Sequence, residues 1–285
     1  MAEGPLVHRV AKDLSRVLKG KRVRVEFGVK RLKPFEASLA GVAIKDVEAY
    51  GKQFRIRLAD GRVILVHLMM WGWWRIYAKG EAWERPPERA RLVLRTAAHD
   101  VVAFSAPVVR LFARGELEAD PVWGRLGPDP LRRDFSAMEF FRRLEAEPKR
   151  KIGDMLLDQH VISGVGNIIK IEALFGARVH PRRPVASLSR AEKERLLTWV
   201  LKLMAKWLKE RGNEDTWIRI YRKSSQPCLR CGGKVERFRQ SGRITYACSE
   251  CQPLRPGRRP GRGRPVRQRR FSVGSSGPKN GGKGK

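Results

Sequence analysis

Apolar residues near the start of the chain recur at helical spacing. Leu6, Val10, Leu14, Val17 and Leu18 share one face, which predicts a helix over residues 5–19 with Pro5 in its first turn and Gly20 as its stop. From Arg22 the period changes to two. Arg22–Phe27, Gln53–Leu58 and Arg62–His67 read as strands, and Asp60-Gly61 supplies a hairpin turn between the last two. Arg91–Arg95 and Val101–Ser105 repeat that hairpin logic. A helix followed by so many half-apolar strands is best buried as a sandwich or barrel.

Leu126-Gly-Pro-Asp-Pro breaks the β pattern, and helical periodicity follows at Ala137–Leu144, Ile152–Gln159, Ile168–Phe175 and Ser189–Arg211. Ser189 and Glu192 have capping-box spacing, and the stripe Leu196, Val200, Met204 and Trp207 reads as core. The cysteines come next. The last stretch holds eleven Lys or Arg, no acid, and many Gly, Pro and Ser, a composition that cannot bury a core and is expected to be disordered. The expected fold class is α+β and multidomain. A helix plus β-sandwich spans 1–125, a helical domain 126–221, a four-cysteine hairpin 222–253, and a disordered basic tail 254–285.

Composition narrows the class. Hydrophobic residues make up 42% and mean hydropathy is −0.45, ordinary for a chain that folds around a core. No apolar run approaches a membrane span, even at Val63–Trp74, where His67 and Gly72 interrupt. Met1-Ala-Glu-Gly-Pro carries an acid at position three and reads as no secretory signal, so a soluble cytoplasmic protein, associated with the nucleoid, is expected. Sixty-one Lys and Arg against twenty-nine Asp and Glu give +32, a charge that calls for a polyanion, and in the cytosol that means nucleic acid. The tail supplies eleven of those cations, so the body is basic without it.

Three local patterns carry chemistry. Cys228, Cys231, Cys248 and Cys251 form two CxxC pairs, the spacing of a four-thiolate Zn2+ site rather than of disulfides in a reducing compartment. Between the pairs, two strand-like pieces flank Ser241-Gly242, so zinc would hold a β-hairpin with Arg243 at its tip; with all four positions filled, the ion is structural. Gly164-Val-Gly-Asn, following Asp158-Gln159-His160 and preceding a helix, lets backbone amides approach a phosphate, with Asn167 as a neutral donor. Finally, once Met1 is removed, Ala2 presents an α-amine with a reference pKa of about 7.7–8.0, partly neutral and nucleophilic at physiological pH. The adjacent Glu3 could shuttle protons.

Their order is more specific than any one of them. Met1-Ala-Glu-Gly-Pro, Tyr50-Gly-Lys-Gln-Phe, His67-Leu-Met-Met-Trp-Gly, Leu126-Gly-Pro-Asp-Pro-Leu, Leu157-Asp-Gln-His-Val-Ile-Ser-Gly-Val-Gly-Asn, Glu172-Ala-Leu-Phe with His180-Pro181, and Gln240-Ser-Gly-Arg-Ile-Thr-Tyr-Ala-Cys occur in one sequence order. In that order they resemble the formamidopyrimidine-DNA glycosylase / endonuclease VIII family over residues 1–253. The resemblance implies a helix-led β-sandwich, a helix–two-turn–helix domain and a zinc finger. It implies a base-excision repair DNA glycosylase with AP (β-elimination) lyase activity on damaged double-stranded DNA, acting as a monomer with one structural Zn2+. It makes Ala2 the nucleophile and Glu3 the acid/base. Lys52, as a strand residue, contacts the phosphate near the lesion, and Asn167 and Arg243 grip the same backbone. Met69, Met70 and Trp71 fall in the loop that fills the gap left by an everted base, with Met70 the best match. Trp73 and Trp74 read instead as sandwich core.

Three positions depart from the family. Its nucleophile is typically proline, where this chain has Ala2, a primary amine whose imine needs a proton to become an equal electron sink. Its second acid, after the early proline, is here Leu6. Its Arg-Phe intercalation pair has no counterpart between Ala98 and Glu116. Ala2 and Leu6 favour the alternative of a non-catalytic or hydrolysis-only DNA-damage binding protein of the same fold. An RNA-associated zinc protein would share the charge and the cysteines, with no need for Ala2-Glu3 combined with Lys52.

Overall fold

A computed structural model describes residues 3–210 and 216–254. Met1, Ala2, residues 211–215 and residues 255–285 lie outside the described residues, and with them the Ala2 amine and the basic tail.

Helix α1, Gly4–Leu18, carries Pro5 in its first turn and buries Val7, Ala11, Leu14 and Leu18. Behind Lys19 the chain turns through Gly20 at φ +76. The strands that follow are β1 (Arg22–Phe27), then β2 (Val42–Tyr50) after the short helix α2 (Glu36–Leu39), β3 (Gln53–Leu58), β4 (Val63–His67), β5 (Trp73–Ala78), β6 (Ala90–Arg95), β7 (His99–Phe104) and β8 (Val108–Phe112). Two antiparallel layers, β5-β7-β6-β1 and β2-β3-β4-β8, are joined through only Arg22↔Ala43 and Val23↔Val42. The result is a sandwich, and α1 lies along β2. Leu14 and Leu18 of α1, Val25 and Phe27 of β1, and Phe54, Ile56, Leu92 and Val101 share one core.

Sequence periodicity misses three of these strands. In β2 the register shifts between Ile44 and Asp46, so the apolar alternation breaks where Lys45, Asp46 and Glu48 stand. Strand β5 holds Trp73 and Trp74. Trp74 is core, edge-on to Phe54, whereas Trp73 stacks on Phe104 in a smaller cluster with Tyr77 and Trp83. Strand β8 follows Pro107 and closes the layer on β4.

The second part contains α3 (Ala137–Glu145), α4 (Ile152–Leu157), α5 (Asn167–Ala177) and α6 (Arg190–Lys209). The capping box of α6 forms as its sequence requires: Ser189 Oγ accepts from the Glu192 amide and the Glu192 carboxylate accepts from the Ser189 amide. Leu196, Val200, Met204 and Trp207 are buried against α4 and α5. Helix α4 stops at Leu157, short of the expected Gln159, because Asp158 turns extended and its carboxylate accepts from the His160 amide.

The Leu126-Gly-Pro-Asp-Pro break is a seam between the two parts. Asp129, fully buried, hydrogen-bonds His8 of α1 at 2.6 Å and accepts from the Gly51 amide at 2.7 Å and the Leu131 amide at 2.9 Å. Gly127 lies so close to the chain at His160–Val161 that a Cβ there would sit 2.6 Å from backbone. The cysteine segment ends in β9 (Val235–Gln240) and β10 (Arg243–Cys248), paired across Ser241-Gly242 with both turn residues at positive φ, as a tight I′ hairpin requires. Val235 and Tyr246 pack on Ile171 and Phe175 of α5.

Candidate active site

Glu3 is the N-cap of α1 and is fully buried, an expensive place for a carboxylate. Its oxygens accept from the backbone amides of Ile168 (2.8 Å) and Ile169 (3.2 Å), in the first turn of α5. Those amides have no partner within the helix, and the helix dipole favours an anion there. Gly4 donates to the Gly164 carbonyl at 2.8 Å, which locks the start of α1 against the Gly164-Val-Gly turn. Burial raises the Glu3 pKa above the ordinary carboxylate range; Lys52 and the amides of α5 pull the other way.

Lys52 is a turn residue and not, as the resemblance implied, a strand residue. Tyr50 pairs with Gln53, leaving Gly51-Lys52 as the two-residue hairpin tip, with Gly51 at φ +57. That tip carries Lys52 Nζ to 2.8 Å from the Val165 carbonyl, beside Glu3. Burial pushes the ammonium down to about 8, offset in part by the Glu3 charge and reinforced by Arg243. A half-buried lysine and a buried carboxyl thus sit together at the mouth of α5, each shifted toward its neutral form.

From the other side the cysteine hairpin closes in. Asn167, first residue of α5, donates from Nδ2 to the Ile244 carbonyl of β10 at 2.8 Å. Arg243 begins β10, and its guanidinium comes within 3.8 Å of Met70 Sδ. Met69, Met70 and Trp71 form the exposed β4–β5 connection, with Trp71 72% exposed. Met69 is held at φ +50 while its amide donates to His67 Nδ1. The structure therefore gathers Glu3, Lys52, Met70, Asn167 and Arg243 into one crevice from five separate stretches of chain. Leu6 stands half-buried in the first turn of α1. The β7–β8 connection is only Ser105-Ala106-Pro107, which explains why no Arg-Phe pair is found there.

Several residues at the site were given no role by the sequence, although His67 and Gln159 stand within its motifs. His67 is pushed down to about 4 by burial and by Lys52, so it stays neutral and free to accept from the Met69 amide. Gln159 accepts from the Gly164 amide and donates to the Val165 carbonyl, buttressing the glycine turn. Lys170, wholly buried one turn along α5 from Asn167, reaches Thr245 Oγ1 of β10 at 2.7 Å, and burial takes it to about 8. Nothing local marks Lys170 in sequence except a lysine between Ile169 and Ile171 in a largely apolar helix.

Cys228, Cys231, Cys248 and Cys251 cluster with their sulfurs within 4.8 Å of one another. The Cys231–Cys248 and Cys228–Cys251 separations are 3.5 and 3.9 Å. A tetrahedral ion with bonds of about 2.3 Å spaces its thiolates by about 3.8 Å, so the donor set fits a four-thiolate metal site.

Comparison with known proteins gives a consistent outcome. Residues 1–114 match the family model for the formamidopyrimidine-DNA glycosylase N-terminal domain, and residues 126–216 match the model for the H2TH domain of the same enzymes. A probable endonuclease 8 of Streptomyces coelicolor is 34% identical over 281 residues, covering 95% of this chain and all of that protein. An endonuclease 8 of Pectobacterium carotovorum is 29% identical over 263 residues, covering 88% of this chain and all of its own length. Among solved structures, the formamidopyrimidine-DNA glycosylase of Lactococcus lactis, non-covalently bound to DNA with an AP site, superposes with a TM-score of 0.79 at 23% identity, covering 88% of this chain and all of that one. This likeness shows the same fold.

Proposed function

The chain belongs to the formamidopyrimidine-DNA glycosylase / endonuclease VIII family, and from that premise we propose that it is a base-excision repair DNA glycosylase with AP lyase activity, working as a monomer on damaged duplex DNA in the cytoplasm. The observation that carries the reading is the buried carboxyl of Glu3, the residue that follows Ala2 in sequence, against the α5 amides with Lys52 beside it. One Zn2+ held by the four cysteines would brace the β9–β10 hairpin and take no part in the chemistry.

Lys52, Asn167 and Arg243 bind the phosphates flanking the lesion, and Met70 fills the space left by the everted nucleotide. The neutral Ala2 amine attacks the anomeric carbon of the sugar. The new C–N bond replaces the bond to the base, which leaves with a proton. Glu3, a carboxyl whose proton affinity is raised by burial, gives and takes the protons of these steps. Loss of the ring oxygen as a hydroxyl yields a Schiff base. Protonated, it draws electrons from the adjacent carbon, whose proton leaves together with the 3′ phosphate, cutting the strand. Ala2 is a primary amine and makes a neutral N-substituted imine, so cleavage requires that extra proton.

Borohydride reduction in the presence of duplex DNA with one abasic site tests this directly. A covalent adduct mapping to Ala2 by mass, on a chain lacking Met1, is the expected result. Binding without an adduct would leave a hydrolysis-only glycosylase or a silent damage reader, the second reading that Ala2 and Leu6 favour.

The pH profile supplies another check. Lys52 loses its charge as pH rises through about 8, and the α-amine gains nucleophilicity as it deprotonates over a similar range, about 7.7–8.0. The expected kcat/KM on abasic DNA is therefore bell-shaped with its maximum near that range, since kcat/KM reports the free enzyme. In Lys52→Arg the guanidinium does not titrate, so the alkaline limb should move up by at least about one pH unit. An alkaline limb in the same place would remove Lys52 from the charged groups that matter.

A further inference from the structure

The segment that leaves the helical domain for the cysteines carries a backbone anomaly at the rim of the crevice. Lys223 donates its amide to the Ile220 carbonyl at 3.1 Å, closing a turn whose third residue is Arg222. Arg222 stands at φ +60. Glycine or asparagine ordinarily takes such a position, because in the left-handed conformation Cβ crowds the following carbonyl. The preceding residues cannot shift to relieve it. The Glu172 carboxylate of α5 accepts from the amides of Arg219, Ile220 and Tyr221 at 2.8–2.9 Å, so the backbone enters the turn already held.

The fold shows little use for the arginine. Its side chain is exposed, its guanidinium lies 5.4 Å from the Tyr221 ring centroid, and among the described residues no carboxylate pairs with it. What it faces is a cleft of about 360 Å³ that it lines with Asn167, Tyr221, Arg243 and Tyr246. Two guanidiniums, a carboxamide and two phenols line that cleft, and no acid does. Such a donor-rich wall suits a phosphodiester. Backbone strain held at the edge of a binding surface is the pattern expected where a side chain is kept for a ligand rather than for the fold.

We propose that Arg222 is a DNA-backbone contact, presented by a strained turn so that it grips a phosphate of the damaged strand beside Asn167 and Arg243. The proposal rests on the DNA-repair reading above and extends it by one residue that no motif marks.

The test compares the full-length, metal-loaded protein with Arg222→Gly, Arg222→Ala and Arg243→Ala. Each is titrated by anisotropy against a duplex carrying a stable abasic analogue, over a series of salt concentrations, and each is melted. Arg222→Gly is expected to melt a few degrees higher and to bind about fivefold or more weakly, with a log–log salt slope smaller by about one, the signature of one lost phosphate contact. Arg222→Ala should lose the same affinity with no gain in melting temperature, because Cβ keeps the strain. Arg243→Ala should weaken binding without releasing zinc. Wild-type affinity and slope in both Arg222 variants would overturn the assignment while leaving the DNA reading intact. A lower melting temperature for Arg222→Gly would overturn it too, placing Arg222 in the fold. A wild-type protein that fails to bind the duplex would overturn the DNA reading and this contact together.

Discussion

Replacing Glu3 with Gln is expected to lower base release by about 10²–10⁴-fold, the range that positioned acid/base groups supply, while binding to an abasic duplex changes little. The carboxyl is chosen for this step by its surroundings. It is wholly buried, so its proton affinity rises, yet two α5 amides and the Lys52 ammonium keep the ionised form accessible. A carboxamide is nearly isosteric but cannot exchange a proton. It also mismatches its cradle, since its NH2 would meet an amide N–H of Ile168 or Ile169 where a second acceptor stood. A modest drop in melting temperature should accompany the kinetic loss. The phosphate contacts proposed for Asn167 and Arg243 do not involve Glu3, so binding and base release should separate. Turnover within a few-fold of wild type would take Glu3 out of the chemistry.

Gly166→Ala should be nearly as damaging, although its backbone would accept alanine. Gly166 is the N-cap of α5 at φ −115 and ψ −166, an extended conformation open to any residue. The obstacle is space. A Cβ at Gly166 would lie 2.2 Å from the carboxyl carbon of Glu3 and 2.5 Å from its Oε1. The Glu3 backbone cannot retreat, because it is tied to α1 through the Val7 amide, and Gly4 is tied to Gly164, so the side chain alone must give. The carboxyl would be driven from the α5 amides, and displacements of about 1 Å at a reacting group cost on the order of 10²-fold. A loss of at least that size in kcat/KM is expected, with reduced stability. Gly124→Ala is the control, since its nearest neighbour to a new Cβ is 3.4 Å away and it should behave as wild type. A further arm uses non-additivity: in a Glu3→Ala background, Gly166→Ala should cost little stability, because the colliding atoms are gone. If Gly166→Ala retains activity, or destabilises equally with Glu3 truncated, the steric account fails.

These two residues show where sequence reading stops. Glu3 and the glycine turn could each be singled out from their neighbours, but their contact spans 165 positions and no local pattern announces it. Lys52 was legible as a Gly-Lys pair, yet its place at a hairpin tip depends on β2, which a register shift hid from the periodicity. Asp129 read as part of a break and of an ordered motif, with no role of its own. Its buried carboxylate, joined to His8, Gly51 and Leu131, is what ties α1 and the Lys52 turn to the helical part. The short β7–β8 connection, by contrast, gives a structural reason for an absence already visible between Ala98 and Glu116.

What the sequence determined by itself is what acts over one turn of chain or less. Helix α1 itself, the Ser189–Glu192 capping box, the Ser241-Gly242 turn and the paired CxxC spacings all formed where their residues placed them, although the buried face of α1 runs through Val7 and Ala11 and leaves Leu6, Val10 and Val17 only half-buried. Net charge belongs here too, since it needs no geometry. The tertiary structure alone decided the state of the reacting groups. Burial, opposed in part by neighbours from distant segments, raises the Glu3 pKa and brings Lys52 to about 8, and Glu172 holds three amides of the segment that enters the Arg222 turn. Desolvation and steric crowding depend on everything within a few ångströms, whatever its distance along the chain, and only the folded molecule sets that company.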